Sequence, residues 1–170
     1  MKEIYAKLML YSYRNLPKIA DQIDELVEKK ALSSISDCSP AIKQYEKIVG
    51  LTYQKQIVLS LFVNVKGVLS KFSDVEKEYF AYKYFRGNTP KNYPFDPSSR
   101  NYFRVQVRLL KKFAAESEKY GYGDERVENE LLCIDFFKEM LKRVKEKEDS
   151  DNKHSALLIA VNREKKVKTA

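Results

Sequence analysis

The sequence is poor in the residues that build the most familiar reactive sites. Its 170 residues include two cysteines, Cys38 and Cys133, and a single histidine, His154. Two thiols in different predicted elements supply neither a disulfide framework nor a zinc-binding set. A lone histidine in a polar segment is expected to be solvated, and the chain has no glycine-rich phosphate loop, HExxH or CxxC motif. We therefore predict no enzymatic activity, no metal site and no cofactor.

The sequence also lacks the segments that carry a chain into or across a membrane. Charged residues make up 33% of it, and no apolar run approaches the roughly 20 residues of a membrane-spanning helix. The opening stretch, MKEIYAKLMLYSY, contains Glu3 and no small-residue cleavage site, so we expect no signal peptide. These absences favour a cytoplasmic protein without a membrane partner.

Glycine and proline are scarce, with five of each, and they fall between periodic stretches. This distribution is typical of helices joined by short loops, and strand patterns are few. We predict an all-α bundle of about six helices. The expected parts are an N-terminal helical part over residues 1–50, a main helical part over 51–148, and a polar tail over 149–170 that we expect to be flexible.

Apolar residues at helical spacing place the first helices. One short helix is predicted within 2–13, and a second begins near Pro17, where a first-turn proline is tolerated. A third, short helix is expected to end at Gly50. The second helix has an apolar face made of Leu16, Ile19, Ala20, Ile23, Leu26, Val27, Ala31 and Ile35.

The middle of the chain has the strongest helical pattern, which predicts a central helix over 52–72. Ser73 and Glu76 then have the spacing of a capping box, which predicts a new helix that ends by Gly87. A last helix is expected to run unbroken from Asp124 to about 148. The apolar stripe of the central helix comprises Ile57, Val58, Leu61, Val65, Val68, Leu69 and Phe72, widened by Phe62 and Val63.

Half of the net charge of +8 lies in residues 98–119, which carry six cations and two carboxylates. At 100° per residue the cations cluster within about a third of the helix circumference. A row of like charges repels itself by a few tenths of a kcal/mol per pair, which a polyanion would offset. The row comprises five of the six cations, Arg100, Arg104, Arg108, Lys111 and Lys112; the expected core side comprises Phe103, Val107, Leu110, Phe113 and Ala114, extended by Tyr102 and Leu109.

The segment FSDVEKEYFAYKYFRG, residues 72–87, resembles the opening helix of the C-terminal DNA-binding domain of sigma factors. SSRNYFRVQVRLLKKF, residues 98–113, lies at about the position of the family's recognition helix, and the resemblance covers about 51–119. Sigma-like regulators of phages and mobile elements of Gram-positive bacteria have a similar layout. The matching positions of the opening helix are Phe72, Glu76, Glu78, Tyr79, Phe80, Tyr84, Phe85 and Gly87.

This resemblance implies a transcriptional regulator that binds duplex DNA through a helix-turn-helix, with RNA polymerase as a further partner. One interval departs from the family pattern. Residues 88–97, NTPKNYPFDP, stand where the family has a scaffold helix, and they contain three of the five prolines. A proline inside a helix costs about 3 kcal/mol, so an ordinary scaffold helix cannot form there. The resemblance therefore implies a divergent helix-turn-helix-like segment.

The resemblance also assigns roles along the basic helix, because a recognition helix contacts base edges with its N-terminal residues. The base-reading positions are Ser98, Ser99, Arg100, Asn101 and Arg104. Further along, Arg108, Lys111 and Lys112 are expected to touch phosphate, which positions the protein without reading sequence. In the preceding segment Lys91 and Asn92 are expected to reach the DNA backbone.

Other interpretations of the same residues stay open. The basic row is also compatible with a solvated face whose cations meet acids from elsewhere in the fold. The apolar N-terminal helices and the long last helix favour an all-α protein–protein interaction or assembly module, including a homo-oligomer. RNA binding shares the charge argument but lacks a base-stacking platform. Binding to a membrane surface or to a calmodulin-like partner ranks lower, because the apolar side of the basic helix is expected to face the core.

Overall fold

The computed structural model describes residues 1–33, 41–85 and 100–150, and the side chain of Arg100 lies outside this part. The described ranges are α-helical and contain no strand, which confirms the all-α class. The helices are α1 (Glu3–Ser12), α2 (Leu16–Ser33), α3 (Ala41–Ser70), α4 (Asp74–Tyr84), α5 (Arg100–Lys119), α6 (Asp124–Asn129) and α7 (135–150), with 3₁₀ turns at Tyr13–Asn15 and Leu131–Cys133.

The longest element, α3, has 30 residues and passes through Gly50 without a break. The predicted end of a separate helix at Gly50 is therefore wrong. A glycine inside a helix costs only about 1 kcal/mol relative to alanine, which continued backbone hydrogen bonds and packing against α2 outweigh. The helix also runs across the expected boundary between residues 50 and 51, so the segments on the two sides of this boundary form one continuous helix.

The C-terminal half of α3 lies in the centre of the core. All seven residues of its predicted stripe are buried, which confirms that part of the pattern. Phe62 is half-buried and stacks on Tyr13 with ring centroids 5.3 Å apart. Val63, however, is 68% exposed, and Leu26 of α2 is exposed as well. Both were predicted on apolar faces, but the neighbouring helices cover a narrower arc than apolar spacing alone suggests.

Aromatic contacts fix α4 and α5 to each other and to the end of α3. The rings of Tyr79 and Tyr102 are 5.2 Å apart, and those of Phe80 and Phe113 are 6.0 Å apart. Phe72, just beyond α3, meets Phe80 edge to face at 5.1 Å. Such pairs contribute about 0.5–1.5 kcal/mol each beyond the area they bury. They set the rotation of α5 about its own axis, and with it the side that faces solvent.

The predicted capping box at the start of α4 is confirmed. The backbone N–H of Glu76 donates to the Ser73 hydroxyl, and the backbone N–H of Ser73 donates to the Glu76 carboxylate at 3.0 Å. Two backbone donors that the first helical turn leaves unpaired are thereby satisfied.

The predicted single helix from Asp124 to 148 is wrong, because the chain bends between α6 and α7. Residue Ile134 has extended backbone angles, φ −93° and ψ 124°. Glu128 of α6 accepts a 2.7 Å hydrogen bond from Tyr5, while Glu148 of α7 pairs with Lys7, only two residues further along α1. A straight helix would separate 128 from 148 by about 30 Å. The bend is what allows both segments to reach α1.

By length and composition alone, α3 would also be able to cross a lipid bilayer. Its most apolar 18-residue stretch has a mean hydropathy of 1.2, and 28% of that stretch is buried. The core helix of a soluble protein meets the same criterion. The expectation of a cytoplasmic protein without a membrane partner therefore stays a prediction.

Two glycines in different backbone conformations allow a matched test of this fold. Gly50 lies inside α3, and no atom lies within 4 Å of the position that an alanine Cβ would take there. Gly50→Ala should therefore raise the free energy of unfolding by about 0.5–1 kcal/mol. Gly121 ends α5 with φ 83°, so Gly121→Ala should lower it by about 1–2 kcal/mol. Urea unfolding followed by circular dichroism measures both. A destabilised Gly50→Ala variant would contradict the continuous helix.

Candidate nucleic-acid interface

Helix α5 packs against α1, α3 and α4 and presents the opposite side to solvent. Its outward side carries the three cations Arg104, Arg108 and Lys111. They fall within about 60° on the helix and span about 10 Å along its axis. The buried side comprises Tyr102, Val105, Leu109, Leu110, Phe113, Ala114 and Ser117.

The same three cations make no ion pair with any residue in the described ranges. Basic side chains nearby behave differently. At the end of α5, Glu116 accepts from both Lys71 and Lys119, at 3.3 and 2.5 Å. The outward cations therefore keep their charge uncompensated by the described residues, while Lys71 and Lys119 nearby are neutralised. This is the arrangement that favours an external polyanion.

Lys112 differs from the other cations of the predicted row. Its ammonium lies 2.9 Å from the Glu76 carboxylate and 4.4 Å from the centre of the Phe72 ring. The compensating acid comes from α4, so no residue within α5 indicates it. Lys112 ties α5 to the capped start of α4, and a phosphate would have to compete with Glu76 for it.

Phe103 and Val107 lie on the outward side, which corrects their predicted place in the core. They are 57% and 43% exposed and line a shallow cleft together with Arg104, Arg108 and Lys111. On a helix the two side chains stand 60–140° from the arginines. Phe103 shares its direction with the buried Leu110 and Ala114 but lies two to three turns nearer the start of α5, so helical spacing alone did not predict its exposure. The expected core side also omitted Val105, which is buried and lies one turn before Leu109.

The N-terminal end of the predicted reading surface is only partly described. Asn101 is exposed in the first turn of α5, and Arg104 follows one turn later. The side chain of Arg100 lies outside the described residues. So do Ser98, Ser99, Lys91 and Asn92, together with the proline-containing interval 88–97. The divergent helix-turn-helix-like segment that includes this interval thus stays a prediction.

Three acidic residues of α6 and the turn after it, Asp124, Glu128 and Glu130, have structural partners. Lys2 donates through its backbone to Asp124 at 2.6 Å and through its side chain to Glu128 at 2.8 Å. Arg126 pairs with Glu130 at 2.8 Å. Within residues 1–33, 41–85 and 100–150 no group of three potential metal ligands comes together. These carboxylates therefore hold helix ends and neighbouring helices in place.

Comparison with known proteins identifies no relative: no family model, no curated protein and no solved structure matches the chain. The resemblance to sigma factors therefore stays a prediction that depends on the residues quoted for it.

The Lys112–Glu76 pair predicts a pH-dependent contribution to stability. Burial acts to raise the pKa of Glu76, but hydrogen bonds from Lys112 and Ser73 outweigh it and leave that pKa below its ordinary value of 4.5. A lowered folded-state pKa stabilises the protein above the unfolded value, and the effect is lost as the pH falls through the folded value. The free energy of unfolding of the wild type should therefore exceed that of Glu76→Gln by about 0.5–1 kcal/mol at pH 7. Below pH 4.5 this difference should be smaller.

Glutamine preserves the capping-box hydrogen bond, so the comparison isolates the charge. Glu139→Gln on α7 is the matched control, because this exposed carboxylate has no ion pair in the described part of the chain. Chemical unfolding from pH 3 to 7 gives the measurement. A stability difference between wild type and Glu76→Gln that does not change with pH would contradict the pairing.

Proposed function

We propose that the protein is a DNA-binding transcriptional regulator, similar to sigma factors, that places the outward side of α5 on duplex DNA. The observation that carries this proposal is the set of three exposed cations, Arg104, Arg108 and Lys111, without an ion pair in the described residues. Phosphate contacts dominate the affinity of proteins for DNA, and an open row of cations on a helix suits them. Contact with RNA polymerase belongs to the same proposal and depends on the sequence resemblance alone.

The chemistry of this side of α5 fits a major groove better than a phosphate strand alone. Arg104 is able to donate two hydrogen bonds to the edge of a guanine, and Asn101 is able to form two hydrogen bonds with an adenine. The exposed apolar pair Phe103 and Val107 would meet the methyl groups of thymine. Arg108 and Lys111 lie further along the helix, where they would hold phosphates and fix the register.

The salt dependence of DNA binding tests the role of the cations. If Arg108 and Lys111 each neutralise one phosphate while Arg104 reads a base, replacing all three with alanine should reduce the log–log salt slope by about 1.8. Fluorescence anisotropy on a mixed-sequence duplex between about 50 and 200 mM salt measures this slope. A wild-type protein that does not bind at the lowest salt concentration would end the proposal.

A control variant should lose three positive charges on helices other than α5. Lys18, Lys43 and Lys47 are exposed on α2 and α3 and make no ion pair in the described ranges. Replacing them with alanine should leave the slope nearly unchanged, whereas an equal change would indicate a non-specific effect of net charge. Competition with duplex RNA separates the RNA alternative, since the major groove of A-form RNA is too narrow for α5.

A second candidate function is self-association through the N-terminal half of α3. Four large apolar side chains on this half are exposed and fall within about 80° of the helix circumference. Apart from Asp24 and Lys55, which pair with each other at 2.6 Å, residues 21–33 of α2 carry three acids and two lysines, whereas 41–55 of α3 carry two lysines and one acid. A second copy in antiparallel orientation would place opposite charges beside a shared apolar seam. The exposed residues are Ile42, Tyr45, Val49 and Tyr53.

Light scattering coupled to size exclusion tests this second candidate. Wild type should elute as a dimer, and Tyr45→Ser with Val49→Ser should be monomeric without loss of helicity, because neither side chain is buried. Val75→Ser, which alters an exposed valine on α4, is the control and should stay dimeric. A monomeric wild type that floats with lipid vesicles would assign the stripe to a membrane instead.

A further inference from the structure

A second basic site lies away from the outward side of α5. A cleft of about 660 Å³ opens between the end of α1, the C-terminus of α4 and the middle of α7. Its rim carries the cations Arg14, Lys83, Arg143 and Lys147, which come from three separate segments of the chain. The described lining residues include no carboxylate. Because the cations are far apart in sequence, no periodic sequence pattern predicts this site.

The contacts of three rim cations, Arg14, Arg143 and Lys147, leave charge available to a ligand. Arg14 donates one N–H to the backbone carbonyl of Phe85 at 2.5 Å, which orients its guanidinium. Lys147 donates to the Tyr11 hydroxyl at 3.2 Å, a neutral partner. Arg143 is exposed and makes no ion pair with the residues that the structure describes. None of these contacts neutralises a positive charge.

Tyr84 lines the cleft, and its hydroxyl is buried. Tyr84 is 3% exposed, and its hydroxyl has no hydrogen-bond partner of acceptable geometry among the described residues, although the Gln106 side chain lies near. Burial raises the pKa of Tyr84 far above its ordinary value, so the group is a neutral phenol with a proton to donate. Leaving such a donor unpaired costs about 1–3 kcal/mol, which a ligand oxygen would recover.

Apolar side chains line part of the cleft, and a carboxylate of an adjoining cavity is already paired. Phe85, Met140 and Val144 line the walls. A small adjoining cavity of about 40 Å³ is lined by Glu148, which binds Lys7. Glu148 thus pairs with Lys7, which is not a rim cation, although it lines this small cavity together with Lys83 and Lys147.

We infer that this cleft binds a nucleoside phosphate, with the phosphate held by Arg14, Arg143 and Lys147 and the ring system against the apolar walls. Arginine pairs well with phosphate through parallel N–H bonds, and the volume lies within the usual range of small-molecule sites. The ligand is either a free nucleotide or the terminal nucleotide of a strand. The site is built from residues that the proposed DNA contact does not use.

Isothermal titration with AMP, adenosine and inorganic phosphate tests the inference on the full-length protein. AMP should bind at least tenfold more tightly than either fragment, since only AMP engages both the rim and the walls. Arg143→Gln should weaken AMP binding at least tenfold. Lys142→Gln, an exposed neighbour on α7 with the same charge change, should leave it unchanged. No heat of binding with millimolar AMP, or equal effects of the two variants, would overturn the inference.

Tyr84→Phe provides a second, independent readout. Removal of an unpaired buried hydroxyl should leave the thermal midpoint unchanged or raised, while AMP affinity falls about threefold to tenfold. A variant that loses stability yet binds AMP normally would show a structural hydroxyl and count against the site. A 5′-phosphorylated single-stranded oligonucleotide that binds more tightly than AMP, and still needs Arg143, identifies a strand end as the source.

The outcome is separable from that of the DNA proposal. The variant in which Arg104, Arg108 and Lys111 are replaced with alanine should bind AMP as wild type does. AMP binding without duplex binding would leave the cleft intact and remove only the proposed regulator. Loss of AMP binding in this triple variant would instead refute a separate site.

Discussion

The packing of one side of α5 against the aromatic residues of α4 determines which side chains the protein presents to solvent. The ring pairs Tyr79–Tyr102 and Phe80–Phe113 leave α5 a single rotation about its axis. That rotation buries Leu109 and directs Arg104 to solvent. A helix turned far enough to bring the arginines against the core would bury an unpaired charge, which costs several kcal/mol. The aromatic contacts and the charge pattern thus specify the same orientation.

Some cations of this protein pair with carboxylates, and others have no ion-pair partner in the described ranges. Lys112 and Lys71 meet carboxylates from other helices, and these pairs join elements that are distant in sequence. Arg108 and Lys111, one turn away or less from Lys112, have no such partner in the described ranges. Ion pairs on the surface contribute little to stability, so their main effect here is to fix the position of one element against another. They neutralise the flanks of α5 and leave the charge concentrated on its outward side.

Two basic surfaces result, and they differ in origin. The outward side of α5 is a property of one helix, set by residues three and four apart. The cleft near Tyr84 assembles Arg14, Lys83 and Arg143 from three segments, and it exists only because the chain bends at Ile134 and brings α7 back to α1. The first surface is open and elongated, which suits a polymer. The second is concave and part apolar, which suits a small anion with a ring.

Features that depend on neighbours along the chain could be predicted from the amino-acid sequence. Helical spacing identified the all-α class and the buried stripe from Ile57 to Phe72, and the capping box at Ser73 marked the start of α4. The exposed row containing Arg104 and Arg108 was equally local. Tertiary packing sets which part of each helix is covered, so Phe103 and Val107 lie outside the core against expectation. It also sets the partner of Lys112, the continuity of α3 through Gly50, and the cleft at Tyr84. Local periodicity records which residues share a side of a helix, but only packing among distant segments determines which side is covered and what meets it.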